Sequence, residues 1–411
     1  MRRVIQMSRC KPCLTLVMAL GLGSGLASSL TFGAQEQMHA GAATRIQPLD
    51  LAVLERSRVL RAADADLVQA PQTITAFPAP RSHGGLHDFY SEGDYWWPDP
   101  AYPGGPYIQR DGMSNPDNFV ADRRALLRFA VQMPALTAAW KLTGERRYLD
   151  QARVHLRAWF VDPATRMNPN LQYAQAIQGR SSGRGIGIID TVHLVEVARA
   201  IDVLQAGGAL PAGERAAIQA WFSEYLRWLT TSKNGQDERD AKNNHGSCWL
   251  LQVAAFAHLT GNDALLAYAR TRFKTVLLPT QLALDGSLPL ELKRTKPYGY
   301  ALFDLEALGA LCRILSRPGD DLWTYTTPDG RGMATAMAWM VPFIRDKRSW
   351  PLPPDVMVAD AWPMRQSSLL FAGQALQRPD YLALWRTLPG DSGVEEVMRN
   401  FFIRQPLLWT D

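Results

Sequence analysis

Ala138-Ala139-Trp140-Lys141-Leu142-Thr143-Gly144-Glu145 and Ala254-Ala255-Phe256-Ala257-His258-Leu259-Thr260-Gly261-Asn262 are two versions of one unit. In each, an apolar helical run stops at Thr-Gly, where glycine supplies the left-handed backbone that closes a helix. A second helical pattern follows at once, through Tyr148, Ala152 and Leu156 in the first copy and Leu265, Tyr268 and Ala269 in the second. Val192 to Leu204 and Glu214 to Leu229 make another pair, joined by Gly207-Gly208-Ala209-Leu210-Pro211; Leu302 to Leu315 and Arg331 to Ile344 extend the series. A helical hairpin buries one face and needs neighbours to complete a core. Stacked in a line, such hairpins give a solenoid; wrapped in a circle, they give a ring. The expected fold is all-α: an α/α toroid, an incomplete barrel of helical hairpins, with a long aromatic N-terminal loop region able to fill or rim its mouth.

That loop region is Pro71 to Asn118. It follows an amphipathic helical pattern from Leu49 to about Val68, and it is rich in Pro, Gly, aromatics and acids. A segment this long without helical periodicity is functional or disordered, and its aromatic density argues against disorder. Asp94-Tyr95-Trp96-Trp97-Pro98-Asp99 sets two indoles beside carboxylates, as a platform for sugar rings or as a plug for the open end of a helical core. Two more islands interrupt the helices, Gln175 to Asp190 and Leu284 to Tyr300. Loops on a rigid scaffold are where sites are built.

The chain has 411 residues, 47% hydrophobic and 20% charged, with a formal net charge of +5. That describes a globular protein with a sizeable core. Without a dense Lys/Arg run beyond the first few residues, nucleic acid is not an expected partner, whereas a diffuse positive field suits a polyanionic substrate. Arg2, Arg3, Arg9 and Lys11 precede an apolar run from Leu14 to about Leu30, the layout of a secretory signal. The expected organisation is a signal peptide over residues 1–34, cut somewhere between about residues 27 and 40, then one catalytic domain over residues 35–411. A periplasmic or secreted monomer follows, free of the membrane once the signal is removed. Cys248 and Cys312 then remain, either as a disulfide or as small buried hydrophobes.

Phosphate-cradling, nucleophile-elbow and zinc-helix signatures are missing. His83 and His87 stand four apart in a Gly-rich loop, a poor metal pair; neither a metal nor a cofactor is expected. Lys242-Asn243-Asn244-His245-Gly246-Ser247-Cys248-Trp249 lies where a charged, turn-prone run gives way to an apolar helical pattern. It reads as a helix cap followed by a buried histidine, or as a helix N-terminus prepared for an anion. β-Elimination of a 4-linked uronate needs the carboxylate neutralised, a base for the C5 proton and an acid for the departing O4. Amides and a guanidinium can accept a carboxylate without acting as bases. Tyr and His can move the protons, with Tyr ionisation helped by nearby cations. Asn243, Asn244, His245, Arg294, Tyr298 and Tyr300 offer that inventory.

Asn-Asn-His before an apolar helical run, then an Arg with a Tyr six residues on, resembles the alginate lyase class of α/α-toroid polysaccharide lyases. Tyr90 to Pro100, Asn115-Pro116-Asp117 and Gly183-Arg184-Gly185-Ile186-Gly187 add to the likeness, which is nearest to polysaccharide lyase family 38, with its alginate- and glucuronan-degrading enzymes. The resemblance implies that Asn244 and Arg294 neutralise the carboxylate at the +1 sugar. It implies that His245 assists there and serves as base when the proton lies on the opposite face. Tyr300 would protonate O4 and, in syn elimination, also take the C5 proton; Tyr298 stays open for that role. Trp96, Trp97, Asn243, Gln178, Arg184, His193 and Tyr298 are the expected substrate-binding residues. The one expected partner is an anionic polysaccharide, alginate or glucuronan. Two alternatives stand beside this reading: a glycoside hydrolase, which would draw two carboxylates from Asp94, Asp99, Glu238, Asp285 and Glu291, and a non-catalytic glycan-binding protein.

Overall fold

The computed structural model describes residues 49–410; the expected signal segment lies outside them. Helix α1 (Leu51–Asp66) packs on α2 (Ala121–Thr143), and α2 turns back through α3 (Arg146–Leu156). Then come α4 (Leu194–Ala206), α5 (Ala212–Thr231), α6 (Lys233–Arg239), α7 (Asn244–Leu259) and α8 (Asp263–Arg272). Two short turns, α9 (Leu278–Gln281) and α10 (Pro289–Leu292), lead into α11 (Pro297–Leu315). Helices α12 (Met333–Arg345), α13 (Ser367–Ala375), α14 (Pro379–Thr387) and α15 (Glu395–Asn400) complete the order.

Helices α2, α4, α7, α11 and α13 each pack on the next, forming an inner layer. The returning helices α3, α5, α8, α12 and α14 lie against their outer side. This is the α/α toroid expected from the repeats. The two Thr-Gly stops behave as read: Gly144 and Gly261 have φ of 72° and 67°, and the Gly144 N–H donates to the Trp140 carbonyl. The inner helices α7 and α11 are buried almost all round, which explains their unbroken apolar sequence.

Buried carboxylates hold the ends of this layer. Glu306 of α11 accepts from the Ser367 and Ser368 amides, each at 3.0 Å, and from the Ser367 hydroxyl at 2.7 Å. It thereby caps α13 from a neighbouring helix. Asp355 does the same for α11, accepting from the Tyr298 and Gly299 amides at 2.9 Å. Helix N-termini carry orphan donors and partial positive charge, so a carboxylate there offsets both.

The aromatic segment forms two small sheets. β1 (Tyr90–Glu92) pairs in parallel with β4 (Tyr173–Ala176), while β2 (Trp96–Trp97) and β3 (Ile108–Gln109) make an antiparallel hairpin. Two sequence expectations need correction. The charged run after Ser232 is helical, because the Ser232 hydroxyl caps it by accepting from the Gly235 amide at 3.0 Å. Leu284 to Tyr300 is not a plain loop: Pro297, lacking an amide hydrogen, starts α11, so both tyrosines lie in its first turn. Cys248 and Cys312 are free, buried thiols. Among the described residues, no helix is long and apolar enough to cross a membrane.

Replacing Glu306 by alanine leaves three buried donors without an acceptor. Urea denaturation should show a stability loss of about 3 kcal/mol; a loss under about 1 kcal/mol would contradict the capping role.

Candidate active site

The N-terminal ends of α7 and α11 open onto one cleft of about 460 Å³, a size suited to a small ligand or a stretch of polymer. Asn243, Asn244 and His245 line it from α7; Arg294 and Tyr300 line it from the turn into α11. The aromatic hairpin supplies Tyr95, Trp96 and Asp111, and the glycine-rich island supplies Gln175 and Arg184. All three islands named from the sequence therefore meet at one mouth.

Local sequence explains how α7 presents its first turn. Asn243 is the cap residue, though its side chain makes no capping bond. The capping acceptor is Glu291, which takes the Asn244 amide at 2.8 Å and the Asn244 side-chain Nδ2 at 2.6 Å. Gly246 follows because a Cβ there would stand 2.2 Å from the Ala241 carbonyl oxygen. His245 Nδ1 lies 2.7 Å from Glu238 Oε1. An ionised Glu238 makes Nδ1 the protonated nitrogen and leaves Nε2 for a ligand. Burial opposes a charge on His245, but the Glu238 carboxylate, through its charge and hydrogen bond, and Glu291 together outweigh it and raise the imidazole pKa.

Arg294 is held as a fork. Its Nη2 and Nε donate to the two oxygens of Asp111 at 2.7 and 3.2 Å, and its guanidinium lies 4.3 Å above the Tyr300 ring centre. Nη2 also reaches the Tyr300 hydroxyl at 3.3 Å. That hydroxyl sits 2.6 Å from the hydroxyl of Tyr95, and Lys296, paired with Glu396, approaches both rings. Cations near Tyr300 were expected to ease its ionisation. Arg294 does act in that direction, but burial and the Tyr95 hydroxyl outweigh it, so the phenol pKa in the resting protein is raised.

Arg184 donates to the Gln175 backbone carbonyl at 2.8 Å and side-chain oxygen at 3.3 Å. Its guanidinium lies 5.6 Å from the Trp96 ring centre. Burial lowers its pKa to about 10, so it stays charged at neutral pH. Gln175, with φ of 49°, is one of few non-glycine residues in the left-handed region. Opposite lies Asp94, gripped by Arg123 at 2.5 and 3.0 Å and by Arg399 at 2.7 Å. Although burial opposes its charge, those arginines hold its pKa below the usual carboxylate value.

Four expected substrate residues do not line this cleft. The Tyr298 hydroxyl points the other way, to the Phe343 carbonyl at 3.2 Å. The Trp97 indole donates to the Met113 carbonyl at 2.9 Å. Gln178 donates to Glu92 at 3.2 Å. His193 is buried, with Nε2 donating to the Arg399 carbonyl at 3.0 Å, and burial holds its pKa well below normal. Conversely, Tyr95, Asp111, Gln175, Arg399 and Asn400 line the cleft without having been singled out. Tyr95 stood inside a quoted motif, Gln175 at the edge of a named island and Asp111 within the long aromatic segment, but none was given a role. The hydrolase alternative lacks a free pair of acids: Asp94, Glu238 and Glu291 already have partners, and Asp99 and Asp285 hold turn amides. Among the described residues, no three His, Cys, Asp or Glu are grouped to hold a metal ion.

A family model described as alginate lyase matches residues 73–350. Among solved structures, an alginate lyase from Bacteroides ovatus is 31% identical, with a TM-score of 0.77 over 87% of this chain and 93% of that one. A variant of alginate lyase A1-III complexed with a tetrasaccharide shares the fold at 16% identity, with a TM-score of 0.50 over 88% of this chain and 94% of that one. Its apo form matches at 14% identity and a TM-score of 0.50, over 86% and 94% of the two chains. No curated protein matches the chain. With the match to the family model extending from the aromatic segment to beyond α12, this chain belongs to the alginate lyase family, and it is a polysaccharide lyase.

Proposed function

We propose that the protein cleaves a 4-linked polyuronate by β-elimination, with Asn244, His245 and Arg294 receiving the C5 carboxylate and Tyr300 moving the protons. The observation that carries this reading is the common cleft onto which these four residues open. A substrate carboxylate brought there meets an amide, an imidazole whose pKa is raised, and a guanidinium. Charge developing on that carboxylate as the C5 proton leaves is stabilised by the same groups, which need not reorganise.

The bond changes balance without water. The C5–H electrons form the C4=C5 double bond, the C4–O4 bond breaks, and O4 receives a proton. For β-mannuronate and β-glucuronate, which share configuration at C4 and C5, a single group on one face can accept the first proton and donate the second. Tyr300 fits that part once ionised. Loss of one proton from the Tyr95–Tyr300 pair leaves an oxyanion accepting from the other hydroxyl and facing Arg294. Guluronate presents its C5 proton on the other face, where His245 Nε2 is the available base. Arg184 and Trp96 are read as contacts for neighbouring sugars, the cation for a second carboxylate and the indole for a ring face. Asn243 adds an amide at the same rim. The finer assignment to polysaccharide lyase family 38, and activity on glucuronan beside alginate, rest on the sequence motifs. Export to the periplasm or medium rests on the basic and apolar N-terminal segment.

Tyr300→Phe removes one hydroxyl and little else. Turnover, followed by far-ultraviolet absorbance of the unsaturated product on polymannuronate, should fall by at least about 1,000-fold with binding largely kept. Full activity in that variant would end the tyrosine mechanism. The pH dependence has a definite sign. His245, with its pKa raised, keeps its charge above the usual histidine range, and Tyr300, also raised, must lose its proton to act as base. The profile of kcat/KM should therefore rise on the alkaline side of neutrality; an optimum below about pH 6.5, the reference histidine value, would contradict it. N-terminal sequencing of the exported protein should find its first residue between about 27 and 40, and an intact Met1 would count against export.

A further inference from the structure

The reading above gives Asn244 a place at the substrate carboxylate but leaves open what turns its amide the right way. A side-chain amide is nearly symmetric in shape and opposite in polarity at its two ends: NH2 attracts a carboxylate, and C=O repels it. Nothing in the side chain of Asn244 itself selects between them. The selection comes from beneath. Glu291 is buried, at 1% exposure, and each of its oxygens takes one N–H of Asn244, backbone at 2.8 Å and side chain at 2.6 Å. A flipped amide would set Asn244 Oδ1 against Glu291 Oε2, two acceptors in contact; the observed orientation spends one of the two Nδ2 hydrogens on Glu291 and leaves the second to donate to a ligand. The backbone carbonyl of Glu291 also accepts the Arg294 amide at 3.0 Å, so one residue ties together both chain segments assigned to the substrate carboxylate.

The other buried acid beneath the cleft behaves differently. Asp304 lies one turn beyond Tyr300 on α11 and is 1% exposed; neither of its oxygens makes a well-formed hydrogen bond, and the neighbouring Ser247 hydroxyl, which donates to Gln281 at 2.7 Å, favours its charge only slightly. A carboxylate in that position, poorly supplied with donors and near the charge on Glu291, is costlier than a neutral acid. Burial raises the pKa of both acids, but on Glu291 the two Asn244 hydrogen bonds, Arg294 and His245 work against it, whereas on Asp304 burial and Glu291 act together.

We infer that Glu291 is a positioning residue that fixes the Asn244 amide for the substrate carboxylate, and that the buried pair Glu291/Asp304 carries a single negative charge, located on Glu291. This inference rests on the proposed role of Asn244, and the two can be told apart. Asn244→Ala, Glu291→Gln, the double variant and Asp304→Asn would be compared in the full chain on polymannuronate. Glu291→Gln, which places a donor against a donor, should lower kcat about 100-fold with KM changed by less than about threefold. The double variant should be no more than about threefold slower than Asn244→Ala alone, because the bond that turns the amide is already lost there and only the bond from Glu291 to the Asn244 backbone amide remains. Asp304→Asn, as neutral as the acid it replaces, should keep kcat within about threefold.

Losses that multiply in the double variant, or normal turnover by Glu291→Gln, would overturn the inference. A 100-fold loss in Asp304→Asn would overturn the placement of the charge. Normal turnover by Asn244→Ala would instead remove the reading on which all this rests. Should Glu291→Gln fail to fold, the unsubstituted protein still decides. With asparagine selectively labelled by 15N, one side-chain proton of Asn244 should resonate downfield through its bond to a carboxylate, and two ordinary amide shifts would count against it.

Discussion

The whole site depends on α7 and α11 packing side by side with their N-termini at the same end of the toroid. Each inner helix is returned by an outer one, so successive inner helices start on the same side. That direction brings Asn244 and His245 together with Tyr300, although 55 residues of chain lie between the first and the last. It also aims the positive ends of helix dipoles at the cleft, which favours an anionic ligand before any side chain is counted. The apolar faces that hold α7 and α11 together thus set the chemistry as well as the core.

Charge in the cleft is arranged in layers. His245 is backed by Glu238, Arg294 by Asp111, Asn244 by Glu291 and Lys296 by Glu396. The first three, which line the cleft, are each oriented by an acid at 2.6 to 2.7 Å, Asp111 itself standing in the cleft wall. These contacts restrict rotamers and set proton positions, which is where preorganisation comes from. They also temper the positive field, so that burying the cations costs less. Arg184 is the exception: it donates to the two oxygens of Gln175 and, among the described residues, forms no salt bridge with a carboxylate.

Much of this was legible in the sequence because the signals were local. Thr143-Gly144 and Thr260-Gly261 mark helix ends through a backbone conformation that glycine favours. Asn244-His245 announce a helix start, and Arg294 with Tyr300 stand at a fixed spacing from the next one. What the sequence left open is explained by helical phase. Tyr298 and Tyr300 are two residues apart on a helix and point about 200° from one another, so only one can face the cleft. Reading that stretch as a loop hid the distinction. The neighbouring indoles Trp96 and Trp97 divide in the same way along a strand, where alternate side chains take opposite faces. Asp111, Arg399 and Asn400 reach the cleft only through tertiary packing, and no spacing in the chain points to them. His193 and Gln178 stand within or beside the glycine-rich island in sequence but serve the Arg399 carbonyl and Glu92 in space.

The most direct test of the central claim is to see where a uronate carboxylate rests. A crystal structure of Tyr300→Phe with a mannuronate oligosaccharide should place one carboxylate within hydrogen-bond distance of Asn244, His245 and Arg294 together. Its C5 and O4 should lie beside the position of the missing hydroxyl. A carboxylate held elsewhere, with those three groups still paired only to Glu291, Glu238 and Asp111, would contradict the account.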